Sequence, residues 1–126
     1  MNRLIVGIGS NTADRDKRMS AAVAYFTASF SDVLVSSIYE TPEWSGRYAP
    51  YLNCVAVGFT DKSVDEVTDE LKRYELDNGR TPAMKLAGAV TIDMDVVVWN
   101  DEVLRPVDME REYFRRGYDQ LNGSSR

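Results

Sequence analysis

Histidine is absent from this 126-residue chain, and Cys54 is its one cysteine. An intramolecular disulfide is therefore excluded, and a zinc site built on imidazole and thiolate loses its usual ligands. No run approaches the ~18 apolar residues of a membrane span. The opening "MNRLIVGIGSN" lacks the long apolar core of a signal peptide, so a cytoplasmic location and no membrane partner are expected. Positive charge is also in deficit: 15 Lys and Arg stand against 20 Asp and Glu, a net charge of −5. That balance argues against broad nucleic-acid contact, which wants a basic face, but it leaves room for a local group of arginines gripping phosphate.

The composition is ordinary for a globular protein, with 44% hydrophobic and 28% charged residues. The length suits one domain over 1–126 with one real core. Residues 4–9 alternate, with Leu4, Val6 and Ile8 on one face, and read as a strand ending in the turn Gly9-Ser10-Asn11. Met19, Ala22, Val23, Phe26 and Phe30 recur at helical spacing. Residues 32–41 are β-branched and read as a second strand. Residues 42–50 form a loop with two prolines, a glycine and the aromatics Trp44 and Tyr48. Residues 51–59 read as a third strand. Ser63 and Glu66 form a capping box, and the helix they open carries an inner stripe of Val64, Val67, Leu71 and Tyr74. Asn78-Gly79 is its expected stop. Residues 80–89 read as an irregular loop, residues 90–99 as the fourth strand, and residues 111–121 as a short helical piece before a frayed tail at 122–126. The order βαββαβ predicts an α+β fold of the ferredoxin-like kind: a four-stranded, mostly antiparallel sheet with helices on one face.

The fourth strand, within "GAVTIDMDVVVWN", sets two carboxylates in an apolar run. Strand side chains alternate, so Asp93 and Asp95 share a face while Ile92, Met94, Val96 and Val98 point into the core. Neighbouring carboxylates repel unless positive charge lies between them. A magnesium ion, which takes oxygen ligands at about 2.0–2.1 Å, is one solution; a solvated strand face is the other. "GIGSN" matches neither glycine-rich phosphate motif, so any phosphate grip falls to arginines, whose planar fork donates two parallel hydrogen bonds. Arg80, Arg105, Arg111, Arg115 and Arg116 are the candidates, with solvated surface charge as the alternative for each. Tyr51 and Asn53 share a strand face beside Trp44 and Tyr48, where a ring could stack on a flat heterocycle while an amide reads its edge; core packing explains the same aromatics.

In combination, "IGSN" (8–11), "YETP" (39–42), "YLN" (51–53), "YELDNGR" (74–80), "TIDMD" (91–95) and "RGY" (116–118) resemble the 6-hydroxymethyl-7,8-dihydropterin pyrophosphokinase family over about residues 4 to 118. The resemblance implies transfer of a pyrophosphoryl group from ATP to the pterin hydroxymethyl in folate biosynthesis, with two Mg²⁺ and the ferredoxin-like core. It implies that Asp93 and Asp95 hold both ions. Tyr51 and Tyr118 would sandwich the pterin, Asn53 would bond its edge, and Thr41 and Pro42 would line its pocket. Glu75 and Arg105 would sit by the nucleotide, and Arg80 and Arg116 would act catalytically by neutralising phosphate charge. The sequence departs from the family in its 81–90 loop. Pro82, Ala87 and Val90 stand where arginine, tryptophan and arginine are expected, Glu110 falls where the family has histidine, and the chain is short at its C-terminus. A catalytically degenerate pterin- or nucleotide-binding module and a purely structural domain are therefore kept beside the slow enzyme. A homo-oligomer is left open.

Overall fold

The computed structural model describes residues 1–123. Among the described residues six strands form one sheet: β1 (Asn2–Ser10), β2 (Ser31–Val35), β3 (Tyr39–Thr41), β4 (Tyr51–Thr60), β5 (Asp93–Trp99) and β6 (Glu102–Val103). Five helices accompany them: α1 (Arg15–Ser29), α2 (Val64–Asp77), α3 (Pro82–Leu86), α4 (Pro106–Glu110) and α5 (Glu112–Gly123). The sheet order is β2-β4-β1-β5-β6, with β3 paired to β4, and all these pairings are antiparallel. The α+β class and the antiparallel sheet agree with the sequence; the count of four strands does not.

The extra strands have local causes. The strand expected over 32–41 breaks at Ser36, which turns its Oγ to accept from the Val55 N–H at 2.9 Å. Its two halves, β2 and β3, then pair with opposite ends of the long β4. After β5, Asn100 turns the chain at φ 55, and β6 returns against Val98 and Trp99. The strand expected from residue 90 begins only at Asp93.

Helices cover both faces of the sheet, not one. On one face, Met19, Ala22 and Phe26 of α1 and Val67 and Leu71 of α2 bury Leu4, Val6, Ile8, Cys54, Ala56, Met94 and Val96. On the other, Phe114 of α5 packs with Ile5, Val55, Val97 and Val98, supported by Met109, Tyr118 and Leu121. Val98 therefore serves the opposite core from Ile92, Met94 and Val96. A register shift between Ile5 and Val6 is the reason, because one extra residue in a ladder reverses the facing of the residues beyond it. Burial pushes the Cys54 thiol up to about 12, so it stays protonated as a small core residue.

The capping box forms with both of its hydrogen bonds, Ser63 Oγ accepting from the Glu66 N–H and Glu66 Oε1 from the Ser63 N–H. α2 ends at Asp77, and Gly79 beyond it takes φ 89. Its buried stripe is Val67, Leu71 and Glu75, while Val64 and Tyr74 are only half-buried. The 80–89 loop contains α3, which the dipeptide Thr81-Pro82 explains: Thr81 Oγ1 accepts from the Met84 N–H at 3.2 Å, and proline suits the first helical position. The C-terminal helical piece is α5, with α4 as an additional turn before it. Asn122 and Gly123 close α5, and the rest of the expected frayed tail lies outside the described residues. Among the described residues no helix is long and apolar enough to cross a membrane.

Candidate functional site

The central strand β1 carries glycine at alternate positions, and this shapes the site. Gly9 pairs with Asn53 of β4 on one side and Asp93 of β5 on the other. Gly7 likewise pairs with Val55 and Asp95. Cross-strand neighbours point the same way, so each row reads side chain, gap, side chain. A Cβ built on Gly9 would lie 3.1 Å from Asn53 Oδ1, and one on Gly7 would lie 3.2 Å from Phe114 Cδ1. The two absent side chains leave a cavity of about 240 Å³ on the α5 side of the sheet. Thr41, Pro42, Tyr51 and Asn53 line one flank; Asp93, Asp95 and Arg105 line the other. Its size falls below the ~300 Å³ lower end of drug-sized sites and suits one small ring system.

The flank bearing Tyr51 and Asn53 is held by β3 and β4. Asn53 is buried and donates from Nδ2 to Thr41 Oγ1 at 2.7 Å, which fixes the amide in one orientation. Tyr51 stands two residues before it on the same face. Trp44 reaches the cavity mouth with 95% of its surface exposed.

The acidic flank lies on the part of β5 that β6 does not cover. Glu75, buried near the end of α2, accepts the Met94 N–H on Oε2 at 2.8 Å and so caps that strand edge. Arg80 Nη1 bridges Glu75 Oε1 at 3.1 Å and Asp93 Oδ1 at 2.6 Å. Lys72 Nζ stands 3.4 Å from both Glu75 Oε1 and Asp95 Oδ1, and Arg105 Nη1 is 4.0 Å from Asp95 Oδ1. Burial, reinforced by the charge of Asp93, pushes Asp95 up to about 7. Asp93 shifts the other way: burial opposes its charge, but the hydrogen bond with Asp95 and the Arg80 guanidinium outweigh it and hold its carboxyl below the usual range. Burial raises Glu75 in spite of the Met94 N–H.

These shifts test whether a metal suits the donors. One carboxylate oxygen from each of Glu75, Asp93 and Asp95 lies within 4.8 Å of the other two. A carboxyl that keeps its proton up to about pH 7 marks a pair still short of positive charge despite Arg80, Lys72 and Arg105. Clustered hard oxygen donors, two of them (Asp93 and Asp95) lining the cavity, that want positive charge fit Mg²⁺.

Other residues singled out in the sequence lie elsewhere. Tyr118 is not in the cavity lining; it stacks on Phe114, 5.7 Å between centroids, and Phe114, one helical turn earlier, takes the lining position with Tyr113. Arg116 packs over the Tyr39 ring at 5.0 Å. Arg115 pairs with Asp119 at 3.2 Å along α5, and Glu110 at the end of α4 and Arg111 just after it are exposed. Pro82, Ala87 and Val90 lie in the segment around α3, with Pro82 and Ala87 exposed and Val90 half-buried.

Sequence reasoning missed Lys72, Gly7, Gly9, Asp108 and Tyr113. Tyr113 donates its hydroxyl to Asp108, which also accepts from Arg105 Nε, so the three form a chain along the cavity wall. Lys72 was detectable, since i and i+3 on a helix share a face and Glu75 was already a candidate. The glycines also left a signal: G-x-G within a strand empties one face at two successive positions.

The chain matches the family model described as 7,8-dihydro-6-hydroxymethylpterin-pyrophosphokinase over residues 5–121. It is 33% identical over 111 residues to a folate synthesis bifunctional protein of Chlamydia muridarum, covering 80% of this chain and 24% of that protein. A second folate synthesis bifunctional protein, from Chlamydia trachomatis, is 32% identical with the same coverage. A 2-amino-4-hydroxy-6-hydroxymethyldihydropteridine pyrophosphokinase of Aquifex aeolicus is 28% identical over 106 residues, covering 83% of this chain and 66% of that protein. The chain thus spans about a quarter of the length of the two bifunctional relatives and just under two thirds of the third.

Proposed function

This chain belongs to the 7,8-dihydro-6-hydroxymethylpterin-pyrophosphokinase family, and from that membership we propose that it transfers pyrophosphate from ATP to 6-hydroxymethyl-7,8-dihydropterin. In that reaction the hydroxymethyl oxygen bonds to the β-phosphorus of ATP, the α,β-bridging bond breaks, AMP leaves and the hydroxyl proton is released. The observation that carries the reading is the row Asn53–Gly9–Asp93, which sets a ring-binding amide and a metal-suited carboxylate on opposite sides of one gap.

Each flank has its part. Tyr51 would stack on the pterin, with Asn53 bonding its edge and Thr41 and Pro42 closing the pocket. Phe114 occupies the wall where Tyr118 was expected to complete the sandwich. Asp93 and Asp95 would hold Mg²⁺, and the ions when bound supply charge neutralisation for the triphosphate. Arg80, Arg105 and Lys72 would bind phosphate oxygens, with Glu75 keeping Arg80 and Lys72 in place. Lys72 and Arg105 are each half exposed beside Asp95, so both can turn to an incoming anion. The cavity holds the pterin alone, and the nucleotide lies beyond its acidic flank.

A second reading has its own support. The segment around α3 offers Lys85 as its sole cation between 81 and 90, which favours a pterin-binding module over a fast enzyme. Titration calorimetry followed by an AMP-release assay separates the two. Binding of hydroxymethyl-dihydropterin and of a non-hydrolysable ATP analogue with Mg²⁺, then AMP release from ATP, supports the kinase. Pterin binding without nucleotide binding supports the module, and binding of neither removes both.

Gly9→Ala tests the cavity itself. The added methyl sits 3.1 Å from Asn53 Oδ1 and 3.6 Å from Tyr51 Cδ1, inside the space assigned to the ring. Overpacking of this kind costs about 1–3 kcal/mol, and in the bound state it falls on the ligand. Pterin affinity measured by calorimetry is expected to drop at least ~10-fold, while Mg²⁺ binding at Asp93 and Asp95 is kept. An unchanged affinity would place the pterin elsewhere.

A further inference from the structure

We propose that Asn11 is a positioning residue that yokes the 42–50 and 80–90 loops, so that the loop at the cavity mouth and the loop leading into β5 are held as one body. Asn11 follows β1 and is 4% exposed. Both donors of its amide and one lone pair of its oxygen go to these loops. Nδ2 donates to the Ala49 carbonyl at 3.1 Å and to the Gly88 carbonyl at 2.9 Å. Oδ1 accepts from the Val90 N–H at 2.6 Å, and the Asn11 N–H donates to the Val90 carbonyl at 3.0 Å. One planar amide thus joins residues far apart in the chain, and only an amide supplies two donors and one acceptor in that geometry.

A second contact joins the loops directly. Gly88 takes φ 73, and a Cβ there would lie 2.2 Å from Tyr48 Cδ1, so the Tyr48 ring rests against bare backbone. Beyond the Arg80 ion pairs at the start of one loop and Arg15 Nη1 on the Pro50 carbonyl at 2.7 Å at the end of the other, the holds are few: α3 buries no residue, and Trp44 and Leu86 are 95% and 85% exposed. Segments with so few buried contacts open at low free energy unless something pins them. The 42–50 loop borders Thr41, Tyr51 and Asn53, whereas the 80–90 loop runs from Arg80 to the strand bearing Asp93 and Asp95. Through Asn11, order imposed on the ring-binding flank reaches the acidic flank. What the coupling serves rests on the proposed function; its existence does not.

Hydrogen exchange of the whole chain, read by mass spectrometry, tests it in two arms. Asn11→Asp keeps the shape and the oxygen that accepts from Val90, but it turns both donor bonds into oxygen–oxygen contacts. Without ligand, exchange should rise about tenfold in both 42–50 and 80–90, with α1 and α2 as protected as in the parent. Tyr48→Ala, at a ring 40% exposed, should likewise speed both 42–50 and 80–90 and carries this arm if Asn11→Asp fails to fold. A change confined to one loop, or to neither, overturns the proposal.

The second arm adds hydroxymethyl-dihydropterin. In the parent the ligand should protect 80–90 as well as 42–50, and in Asn11→Asp it should protect 42–50 alone. Equal protection of both loops in the variant overturns the proposal. A parent that binds no pterin counts against the proposed function, and the ligand-free arm still decides the yoke.

Discussion

Asp95→Ala is expected to lower turnover on the order of 10³-fold and to abolish Mg²⁺-dependent nucleotide binding, while making the metal-free protein more stable. The activity loss comes from removing one fixed group at the point where phosphate charge is neutralised; comparable single deletions cost about 2.7–4 kcal/mol of barrier. The gain in stability is electrostatic in origin. Burial and the charge of Asp93 push Asp95 up to about 7 from its ordinary value of 3.8, so its ionised form is strained in the folded chain. Because the folded state binds the extra proton, stability of the parent falls as pH rises from about 4 through 7. Asp93 is shifted in the opposite direction, so its contribution is lost at pH values below its unfolded pKa, outside that window. Glu75 is raised like Asp95 and leaves a residual slope. Thermal unfolding of metal-free parent and variant between pH 5 and 7.5 should therefore show a shallower slope in Asp95→Ala and a gain on the order of 1–2 kcal/mol near neutrality. A variant less stable than the parent at pH 7.5 would mean that Lys72 and Arg105 already satisfy Asp95, leaving little for a metal to do.

Arg80→Ala should be the most damaging single change at the site for stability. Arg80 is the group that touches both Glu75 and Asp93, and the Glu75 side chain is 4% exposed. Removing one partner from a buried ion pair strands the other charge, which costs about 3–5 kcal/mol when the pair is fully buried. Arg80 is itself 25% exposed, and Lys72 stays 3.4 Å from Glu75, so about 2–3 kcal/mol is expected. The charge left behind sits among the oxygens assigned to Mg²⁺. A ligand that binds the folded state alone stabilises it in proportion to its affinity. Millimolar Mg²⁺ should therefore raise the melting temperature of Arg80→Ala more than that of the parent. Equal increments in the two proteins would show that Arg80 and the metal do not compete for the same charge.

What the sequence revealed and what it hid divide by range. Features set within a few residues were legible: the alternation of Leu4, Val6 and Ile8, the Ser63–Glu66 capping box, the stop at Asn78-Gly79, and the shared facing of Asp93 and Asp95. Each depends on strand period or on cap chemistry alone. Features set by pairing were not. Val98 changes sides because of a register shift against β1, which no pattern within β5 records. Glu75 was named only through the family resemblance and not in the apolar stripe of its helix, yet it is buried there, where the free edge of β5 offers it the Met94 N–H. Helix α5 covers the second face of the sheet, and its helical spacing brings Phe114 to the cavity and carries Tyr118 away from it. Gly7 read as an ordinary strand residue and Gly9 as the start of a turn until β4 and β5 were placed on either side of them.

The central claim is that Asp93 and Asp95 face the glycine gap in order to hold a divalent cation between pterin and nucleotide. Crystals grown with Mn²⁺ in place of Mg²⁺, hydroxymethyl-dihydropterin and a non-hydrolysable ATP analogue test it through the anomalous signal of manganese. The account predicts a peak in contact with oxygens of both aspartates, with the pterin beside Asn53 and Tyr51. Ligand density without any such peak, with Asp93 still on Arg80 and Asp95 still on Lys72, would contradict it.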